Sequence, residues 1–591
     1  MGGGCGGIPC EVMRAADDER AVRPQLVVGP LLRYVDERRA TIWFETDRSC
    51  EVSVVAAGRP HTAPTWAVHG HHYALVRLED LPERSVTEYR VELDGHDVWP
   101  PADSELPPSV IRTPDFDAPY RLSFGSCRRS APFDAEHLEA LGADALVALA
   151  GRMMAAPHDE WPDILLLLGD QVYADEPSDE ILARLRETNH ERDPEIVEEI
   201  QDFEEYTWLY QEAWTTPVVR WLLSTVPSGM MLDDHDLRDD WNTSLSWREE
   251  MTATSWWRDR VTGAYASYWV YQHLGNLSPD QLDADDVYER VLSITDDDER
   301  TRYLDEVAWR ADVDATSIRW SFYRDLGGAG RRVRLVAVDS RCSRNLDPEN
   351  RRMVDAVEWA WVRKEVLEPA EPYDHLLLAS TLPFLLLPGI HHLEGWDESI
   401  SEGAWRRPGK WVGEKLRQVL DLEHWAAWRS SFAELTELLT EVVTSSRPPS
   451  TVLMLGGDVH CNYTAVAELT AVEHPGTAIH QLTMSPFRND IERPAKTAFK
   501  ALNRKRLAGA MHRLARLAKV DDVAMTWIVE HGVWFDNGVM SINLAGRGAE
   551  LSVDHAVVRD GEQILEHRLD VELAPGTASP DASIDEATAT V

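Results

Sequence analysis

Two patterns of apolar and polar residues divide the chain. Between residues 24 and 117, short runs such as RATIWFET (39–46) and EYRVELDG (88–95) alternate apolar with polar positions and contain many β-branched and aromatic residues. Turn residues separate these runs at the spacing that is typical of a β-sandwich. This part of the chain is therefore predicted to form a small all-β domain.

From residue 118 onward the apolar runs are continuous, and each ends in a polar cluster. Examples are YRLSFGSCRRS (120–130), DILLLLGDQVYADE (163–176) and TVLMLGGDVHCN (451–462). A continuous apolar run is typical of a strand that is buried on both faces, and helical stretches such as 136–154 lie between the runs. This alternation predicts a layered α/β core, in which ligands bind beyond the carboxyl ends of the strands.

The same patterns set the predicted boundaries. The chain divides into a flexible N-terminal tail (1–23), a β-sandwich domain (24–117), an α/β domain (118–572) and a disordered C-terminal tail (573–591). Within the α/β domain, residues 178–215 and 243–312 are acidic, helical in pattern and Trp-bearing, and they are interpreted as insertions. Residues 493–519 are predicted to form a basic amphipathic helix.

Net charge limits the partners of the chain. The 591 residues include 59 Lys and Arg against 102 Asp and Glu, a net charge of −43. Duplex nucleic acid is excluded because it needs a basic footprint, whereas cation sites built from carboxylates suit this composition. The basic segment 493–519 either touches an anionic membrane surface or lies against the acidic body of the chain, and the second interpretation is favoured.

The cellular compartment of the protein is predicted from features that the sequence lacks. No apolar run approaches the roughly 20 residues of a membrane span, and the N-terminus lacks the basic and apolar regions of a secretory signal. Six cysteines without a CxxC pair are too few for a disulfide scaffold. A cytoplasmic protein is expected.

The apolar run 164–168 ends in Gly-Asp-x-x-Tyr, which places Asp170 and Tyr173 just beyond a strand. A carboxylate can bridge two cations, and a phenolate suits a hard trivalent ion such as Fe(III). Tyr173 can bind the same ion as Asp170 if the two residues between them form a tight loop. The alternative is an ordinary strand exit in which Tyr173 packs against its neighbours.

Two further strand ends carry carboxylates beside a histidine. In MLDDHD (231–236) three carboxylates surround His235, and like charges this close repel unless a cation neutralises them. The alternative is a helix start capped by an aspartate. In GGDVH, Asp458 and His460 are two residues apart, so on an extended segment they point to the same side.

Cys127 ends another apolar run and is followed by Arg128 and Arg129. Adjacent arginines are expected to lower the pKa of the thiol, and a thiolate is a ligand for iron or zinc. The alternative is a small buried residue without chemistry, which is the usual role of a lone cysteine.

Taken in order, S-C-R, G-D-Q-V-Y, D-D-H-D and G-D-V-H resemble the signature of PhoD-type alkaline phosphatases and phosphodiesterases, within the calcineurin-like metallophosphoesterase superfamily. The resemblance spans roughly residues 24–560. It implies an α/β fold, a four-layer metallophosphoesterase-type β-sandwich flanked by helices. It also implies a preceding all-β domain similar to fibronectin type III, which the segment 78–95 resembles on its own.

The resemblance also implies a bimetal centre. The positions that would hold a first metal, expected to be Fe(III), are Cys127, Asp170, Tyr173 and His460. Asp170 would bridge to a second metal held by Asp234 and Asp458, and oxygen ligands suit Ca, Mg or Mn there. His235 would protonate the leaving group or stabilise charge on the transferring phosphoryl group, and Asp236 would orient it.

Two arginines are candidates for substrate binding. Arg128 stands where the family usually has Gln, which adds positive charge beside the metal site. Arg341, in AVDSRCSR (337–344), is placed to clamp phosphate, although a structural salt bridge is an equal alternative. The lone metal-binding histidine that the superfamily usually has between these motifs has no clear match, with His375 in HLLLAST, His391 and His392 as candidates.

The predicted function is metal-dependent hydrolysis of a phosphoester by a bimetal centre and an activated hydroxide. The substrate is expected to be a phosphorylated small molecule or polymer, and the sequence leaves monoester and diester preference open. The alternative is a catalytically degenerate module that binds metal or mediates interactions.

Overall fold

The computed structural model describes residues 23–115, 118–188, 192–314, 317–326, 333–419, 422–473, 476–490 and 493–576. The predicted tails 1–23 and 573–591 therefore lie outside the described residues except for residue 23 and residues 573–576. The last described strand runs from Glu562 to Ala574.

The N-terminal region is all-β, as predicted, and contains two antiparallel sheets. One has the order Leu26–Val35, Ala40–Thr46, His71–Leu78, Trp66–Val68. The other has the order Arg59–Pro64, Glu51–Ala56, Val86–Leu93, His96–Trp99, with Val110–Arg112 paired to Val86–Leu93. Alternate apolar residues of both sheets, such as Ile42, Val54 and Val91, form one buried cluster between them.

Two larger sheets form the core of the rest of the chain. The six-stranded sheet has the order Ser228–Met231, Ile164–Leu168, Tyr120–Gly125, Gly538–Ala545, Gly548–Arg559, Glu562–Ala574. The seven-stranded sheet has the order Phe322–Leu326, Val333–Ala337, His375–Ala379, Thr451–Gly456, Ala478–Thr483, Asn462–Leu469, Met525–Trp534. Both sheets contain parallel and antiparallel strands. The continuous apolar runs form the strands that pair in parallel.

The continuous apolar runs are buried on both faces because each face meets a different layer. In Ile164–Leu168, Leu166 and Leu168 belong to an apolar cluster that includes residues of both large sheets, such as Leu377 and Leu453. Leu165 and Leu167 point the other way and pack with the helices. One run of apolar residues thus joins the two sheets to each other and to the outer helices.

Helices connect the strands and cover the sheets. The α-helices are Ala135–Leu141, Ala145–Ala155, Asp179–Glu187, Phe203–Trp214, Pro217–Thr225, Leu245–Thr252, Trp257–Tyr268, Leu274–Asn276, Pro279–Asp283, Asp286–Ser293, Asp297–Val313, Ala356–Leu367, Pro388–Glu402, Arg406–Val419, Arg429–Thr444, Arg493–Leu502 and Lys505–Leu517. Short 3-10 turns cover His158–Glu160 and Trp425–Ala427, and Trp269–His273 is π-helical. Among the described helices, none is long and apolar enough to cross a bilayer.

The segment 493–519, expected to be one basic helix, contains two helices separated at residues 503–504. The described parts of both predicted insertions contain helices, and Trp256 and Trp257 lie in the buried core rather than at the surface. Tryptophan in this region therefore stabilises packing.

A buried arginine attaches the N-terminal region to the rest of the chain. Arg33 is fully buried and donates to the carbonyl oxygens of Tyr271 (2.7 Å) and Gln272 (2.8 Å), within the π-helical turn. A π-helical turn disturbs the regular helical hydrogen bonds and leaves such carbonyl groups accessible to a side chain. Gly275 packs against the same guanidinium group, where a Cβ atom would collide with it.

Candidate metal centre

Loops from both large sheets meet at one place. Parallel pairing brings the carboxyl ends of Tyr120–Gly125, Ile164–Leu168 and Ser228–Met231 to the same edge of the six-stranded sheet. The loop after Thr451–Gly456, from the seven-stranded sheet, reaches the same place: the backbone N–H of Asp458 donates to Ser126 Oγ at 2.9 Å. The predicted convergence of polar strand ends is thus present.

Four candidate ligands have a left-handed backbone conformation. The φ angles are 56° at Cys127, 53° at Asp170, 63° at Asp458 and 46° at His460. Residues other than glycine seldom adopt this conformation, which costs of the order of 1 kcal/mol each and is found mostly at functional sites. These residues are held where their side chains can meet rather than where the backbone would relax.

The side chains form three overlapping groups of metal-ligand atoms, each group within 4.8 Å: Cys127, Asp170, His460; Asp170, Asp234, His235; and Asp170, Asp233, Asp234, Asp458. Asp170 belongs to all three groups. One of its oxygens, Oδ1, is buried without a hydrogen-bond partner among the described atoms, and the same holds for Asp233 Oδ2. Buried carboxylate oxygens without a donor fit ligands of a cation.

Electrostatics point to the same conclusion. Burial raises the pKa of Asp170 and of Asp458 well above the ordinary value, and the neighbouring Asp233 carboxylate raises both further. Burial and then the positive charge of His235 lower the pKa of His460 to about 3, which leaves this imidazole neutral and able to bind metal. A cation at this place would offset the repulsion among the carboxylates.

Cys127 differs from its sequence prediction in one respect. Burial raises the pKa of its thiol well above the usual value, and the nearby Asp170 and Asp458 carboxylates raise it further. Arg128 does not lower this pKa, because its guanidinium group turns away and binds Asp144 Oδ2 at 2.9 Å and the carbonyl oxygen of Ala213 at 2.9 Å. Arg128 therefore lies outside the ligand cluster, and a bound metal would stabilise the thiolate.

Tyr173 lies in the same buried pocket. Its hydroxyl oxygen accepts a hydrogen bond from Asn489 Nδ2 at 3.0 Å, and its ring stacks on His235 with the ring centres 4.7 Å apart. Burial raises the pKa of Tyr173, and the nearby Asp170 and Cys127 raise it further. The phenol ring therefore lies against His235, with its hydroxyl group held by Asn489.

Asp175, and not Asp236, contacts His235. The Nδ1 atom of His235 is 3.0 Å from both oxygens of Asp175. Burial on its own would lower the pKa of His235, but the charge and hydrogen bond of Asp175, together with the charges of Asp170 and Asp234, outweigh burial and raise this pKa well above the usual value. Sequence reasoning missed Asp175, although it lies two residues after Tyr173 in the same motif.

Asp236 has a different place from the one expected. Its buried carboxylate accepts hydrogen bonds from the backbone N–H groups of Asp170, Gln171, Val172 and Asp233, at 2.9–3.1 Å. It therefore ties two strand-end loops together. The expectation that Asp236 orients the ring of His235 was wrong, because these four donors occupy its carboxylate.

Arg341 is fully buried in a network of carboxylates. Its Nε atom donates to Asp233 at 2.5 Å and its Nη1 atom to Glu423 at 2.5 Å, while Nη2 is 3.2 Å from Asp234 and 3.7 Å from Asp458. This geometry matches the salt-bridge alternative. The arginine positions three carboxylates of the candidate centre.

His424 is a second residue that sequence reasoning missed. Its Nδ1 atom is 2.7 Å from Glu394 Oε1, and its buried Nε2 atom lies 3.8 Å from Asp458 Oδ2 without a hydrogen-bond partner among the described atoms. The expected candidates lie elsewhere: His391 packs against Phe432 and Trp527. The sequence does not indicate His424 as a candidate ligand, because His424 does not follow an apolar strand. Its place beside Asp458 is visible only in the tertiary structure.

Comparisons with known proteins identify related families and folds. Residues 148–516 match the model of the PhoD-like phosphatase family, and residues 23–111 match the model of a domain of unknown function, DUF7800. The solved structure of PhoD is 11% identical, with a TM-score of 0.54, over 94% of this chain and 93% of that chain. A purple acid phosphatase from yellow lupin (Lupinus luteus) seeds is 10% identical, with a TM-score of 0.46, over 93% and 74%. No curated protein matches the chain.

The family match identifies the class of the chain, a phosphoric ester hydrolase. The chain belongs to the PhoD-like phosphatase family, because the family model matches more than half of its length. The resemblance that the four motifs carry is thereby confirmed.

Proposed function

We propose that this chain hydrolyses phosphoesters at a bimetal centre bridged by Asp170. The observation that carries the proposal is the sharing of Asp170 by all three groups of ligand atoms, at the ends of strands from two sheets. A bridging carboxylate with an unpaired buried oxygen is the group that such a centre needs.

The donor atoms separate into two sets with different metal preferences. Cys127, Tyr173 and His460 offer sulfur, phenol oxygen and imidazole nitrogen beside Asp170, a set that suits Fe(III). Asp233, Asp234 and Asp458 offer oxygen, which suits Ca, or Mg or Mn. The unpaired Nε2 atom of His424 lies beside the second set and would add one nitrogen ligand.

When bound, the two cations would hold the phosphoryl oxygens and supply a hydroxide at neutral pH. The chain itself supplies the proton. Asp175 holds the Nδ1 atom of His235 and favours the protonated ring, so His235 can donate from Nε2 to the leaving-group oxygen. Asp236 and Arg341 act indirectly, by positioning the loops and carboxylates around it.

The finer fold assignment is part of the proposal. The two packed sheets and the helices outside them support a four-layer sandwich over residues 118–572. The paired antiparallel sheets between residues 24 and 117 support a fibronectin type III-like domain. The substrate would be a phosphorylated small molecule or polymer, with monoester or diester preference left to experiment.

Two chromogenic substrates test the proposal. The metal-loaded protein should hydrolyse p-nitrophenyl phosphate, bis-p-nitrophenyl phosphate or both, and Asp170→Asn should lower kcat at least about a hundredfold because the bridge between the sites is lost. Asp97→Asn, at an exposed aspartate of the N-terminal region, is the matched control and should keep full activity. A protein that binds metal but hydrolyses neither substrate would favour the degenerate module.

A further inference from the structure

Basic side chains are concentrated on two neighbouring helices of this acidic chain. The basic face consists of exposed residues on or beside Arg406–Val419 and Lys505–Leu517, namely Arg406, Lys410, Lys415, Arg504, Lys505, Arg506 and Arg513. None of the seven forms an ion pair with another residue that the structure describes. In a chain with a net charge of −43, an unpaired cluster of this kind indicates an anionic partner.

The same two helices expose large apolar side chains. Trp411 is 69% exposed, Trp405 42% and Val412 40% on or beside the first helix, and Leu517 is 74% exposed on the second. Every other tryptophan in the described part of the chain is buried or half-buried. Exposed tryptophan beside lysine and arginine is the composition of a surface that enters the boundary between lipid headgroups and acyl chains.

Both helices pack on Pro388–Glu402, and their inner faces meet in one apolar cluster. Trp396, Ile400 and Ala515 form its buried part, with Leu416 and Leu514 packed against it. These inward-facing residues of both helices pack against the same helix, Pro388–Glu402. The basic and exposed apolar residues therefore face away from that helix. The body of the chain therefore does not cover them within the described residues.

We propose that the basic face docks this protein on an anionic lipid surface. Lysine and arginine contact the headgroups, and Trp411, Val412 and Leu517 enter the region below them. An acidic protein surface would satisfy the charges but would leave the exposed tryptophans without an apolar environment. The supporting helix Pro388–Glu402 also carries Glu394, which contacts His424.

Sedimentation with vesicles tests the proposal on the full-length protein. It should bind phosphatidylcholine vesicles that contain roughly one third phosphatidylglycerol, should not bind pure phosphatidylcholine, and should dissociate as salt rises. Lys410→Glu with Lys415→Glu should weaken binding roughly 25-fold or more, since each basic residue contributes about fivefold. Trp411→Ser should weaken it roughly tenfold by removing apolar area from the lipid.

Two control variants alter matched exposed residues elsewhere: Lys364→Glu, at a side chain that is 66% exposed, and Leu292→Ser, at a side chain that is 48% exposed. Both should bind vesicles as the parent protein does. All variants should keep hydrolase activity on a soluble substrate, because none of these residues belongs to the candidate centre. Activity thereby reports folding independently of docking.

Three results would overturn the proposal. The first is equal binding by the basic-face variants and the controls. The second is vesicle binding only after residues 577–591 are removed, which would assign the basic face to the acidic C-terminal residues. The third is a dimer that Trp411→Ser dissociates, without vesicle binding, which would assign the face to a second copy of the chain.

Discussion

At the scale of single residues, the candidate centre consists of groups that each destabilise the folded protein when no cation is bound. Asp170 and Asp233 are buried carboxylates, Asp458 is a half-buried one close to both, and several candidate ligands have strained backbone angles. Arg341 compensates part of this negative charge through its ion pair with Asp233, although Glu423 binds the same guanidinium group. A bound cation would stabilise the negative charge that remains. This balance of charge and backbone strain is typical of a metal centre.

Sequence alone predicted the first groups of ligands because they directly follow apolar strands. Asp170, Asp234, Asp458 and His460 come together where the motifs indicate. Asp175 and His424 were missed because their roles depend on loops that fold back from elsewhere. Arg128 illustrates the converse, since proximity in sequence to Cys127 did not determine where its guanidinium group points.

Asp175→Asn tests the role of the residue that contacts His235. We expect kcat to fall about 10- to 100-fold, because an outer partner of an active-site histidine sets its orientation and proton. KM and bound metal should change little, which separates positioning from a loss of structure. Glu176→Gln, at the exposed neighbour, is the control, and an equal fall in kcat for both variants would contradict this role.

His424→Gln tests the nitrogen ligand proposed for the second metal. We expect affinity for added Ca or Mn to fall roughly tenfold or more, with iron content unchanged, because the first set of donors is intact. Isothermal titration of metal into the protein measures this directly. His392→Gln serves as the control, and unchanged affinity in His424→Gln would exclude His424 as a ligand.

At the scale of elements, tight loops bring the ligands together. Gly169 has a φ angle of 99° and lies so close to Asp233 that an added Cβ atom would be 2.5 Å from the Asp233 Cβ atom. The apolar run before it predicted the strand, and the Gly-Asp pair predicted where the strand ends. The close approach of a second loop was not predictable, because it depends on strand pairing between distant segments.

Gly169→Ala should therefore destabilise the protein by roughly 2–5 kcal/mol, from backbone strain plus the collision with Asp233. Gly58→Ala is the matched control: its φ angle is also positive, at 73°, but no atom lies within 4 Å of its Cβ position. That variant should lose only about 1 kcal/mol. Chemical denaturation measures both free energies of unfolding, and equal losses would contradict the close packing.

At the scale of the whole molecule, charged contacts join the N-terminal region to the helical insertion. His71 lies between Glu45 (2.8 Å) and Glu204 (2.7 Å), and Glu204 belongs to the helix Phe203–Trp214. Alternation and composition predicted the all-β region and the insertion separately. Their contact was not predicted, because it needs the relative placement of two folded parts.

Stability should depend on this contact above neutral pH. Burial on its own lowers the pKa of His71, but the two glutamates outweigh it and raise the pKa to about 9. Because the folded pKa exceeds the unfolded value of about 6.5, the stabilisation is complete below about pH 6.5 and is lost as pH rises through about 9. The melting temperature should fall more steeply over this range for the parent protein than for His71→Gln, and parallel curves would contradict the assignment.

In the proposed bimetal centre, Cys127 helps to hold the first metal. Element analysis of the purified, unsupplemented protein beside Cys127→Ala tests it most directly. We expect about one iron per chain in the parent protein, from one thiolate- and phenolate-ligated site, and little or none in the variant. Little metal of any kind, unchanged by the substitution, would contradict it.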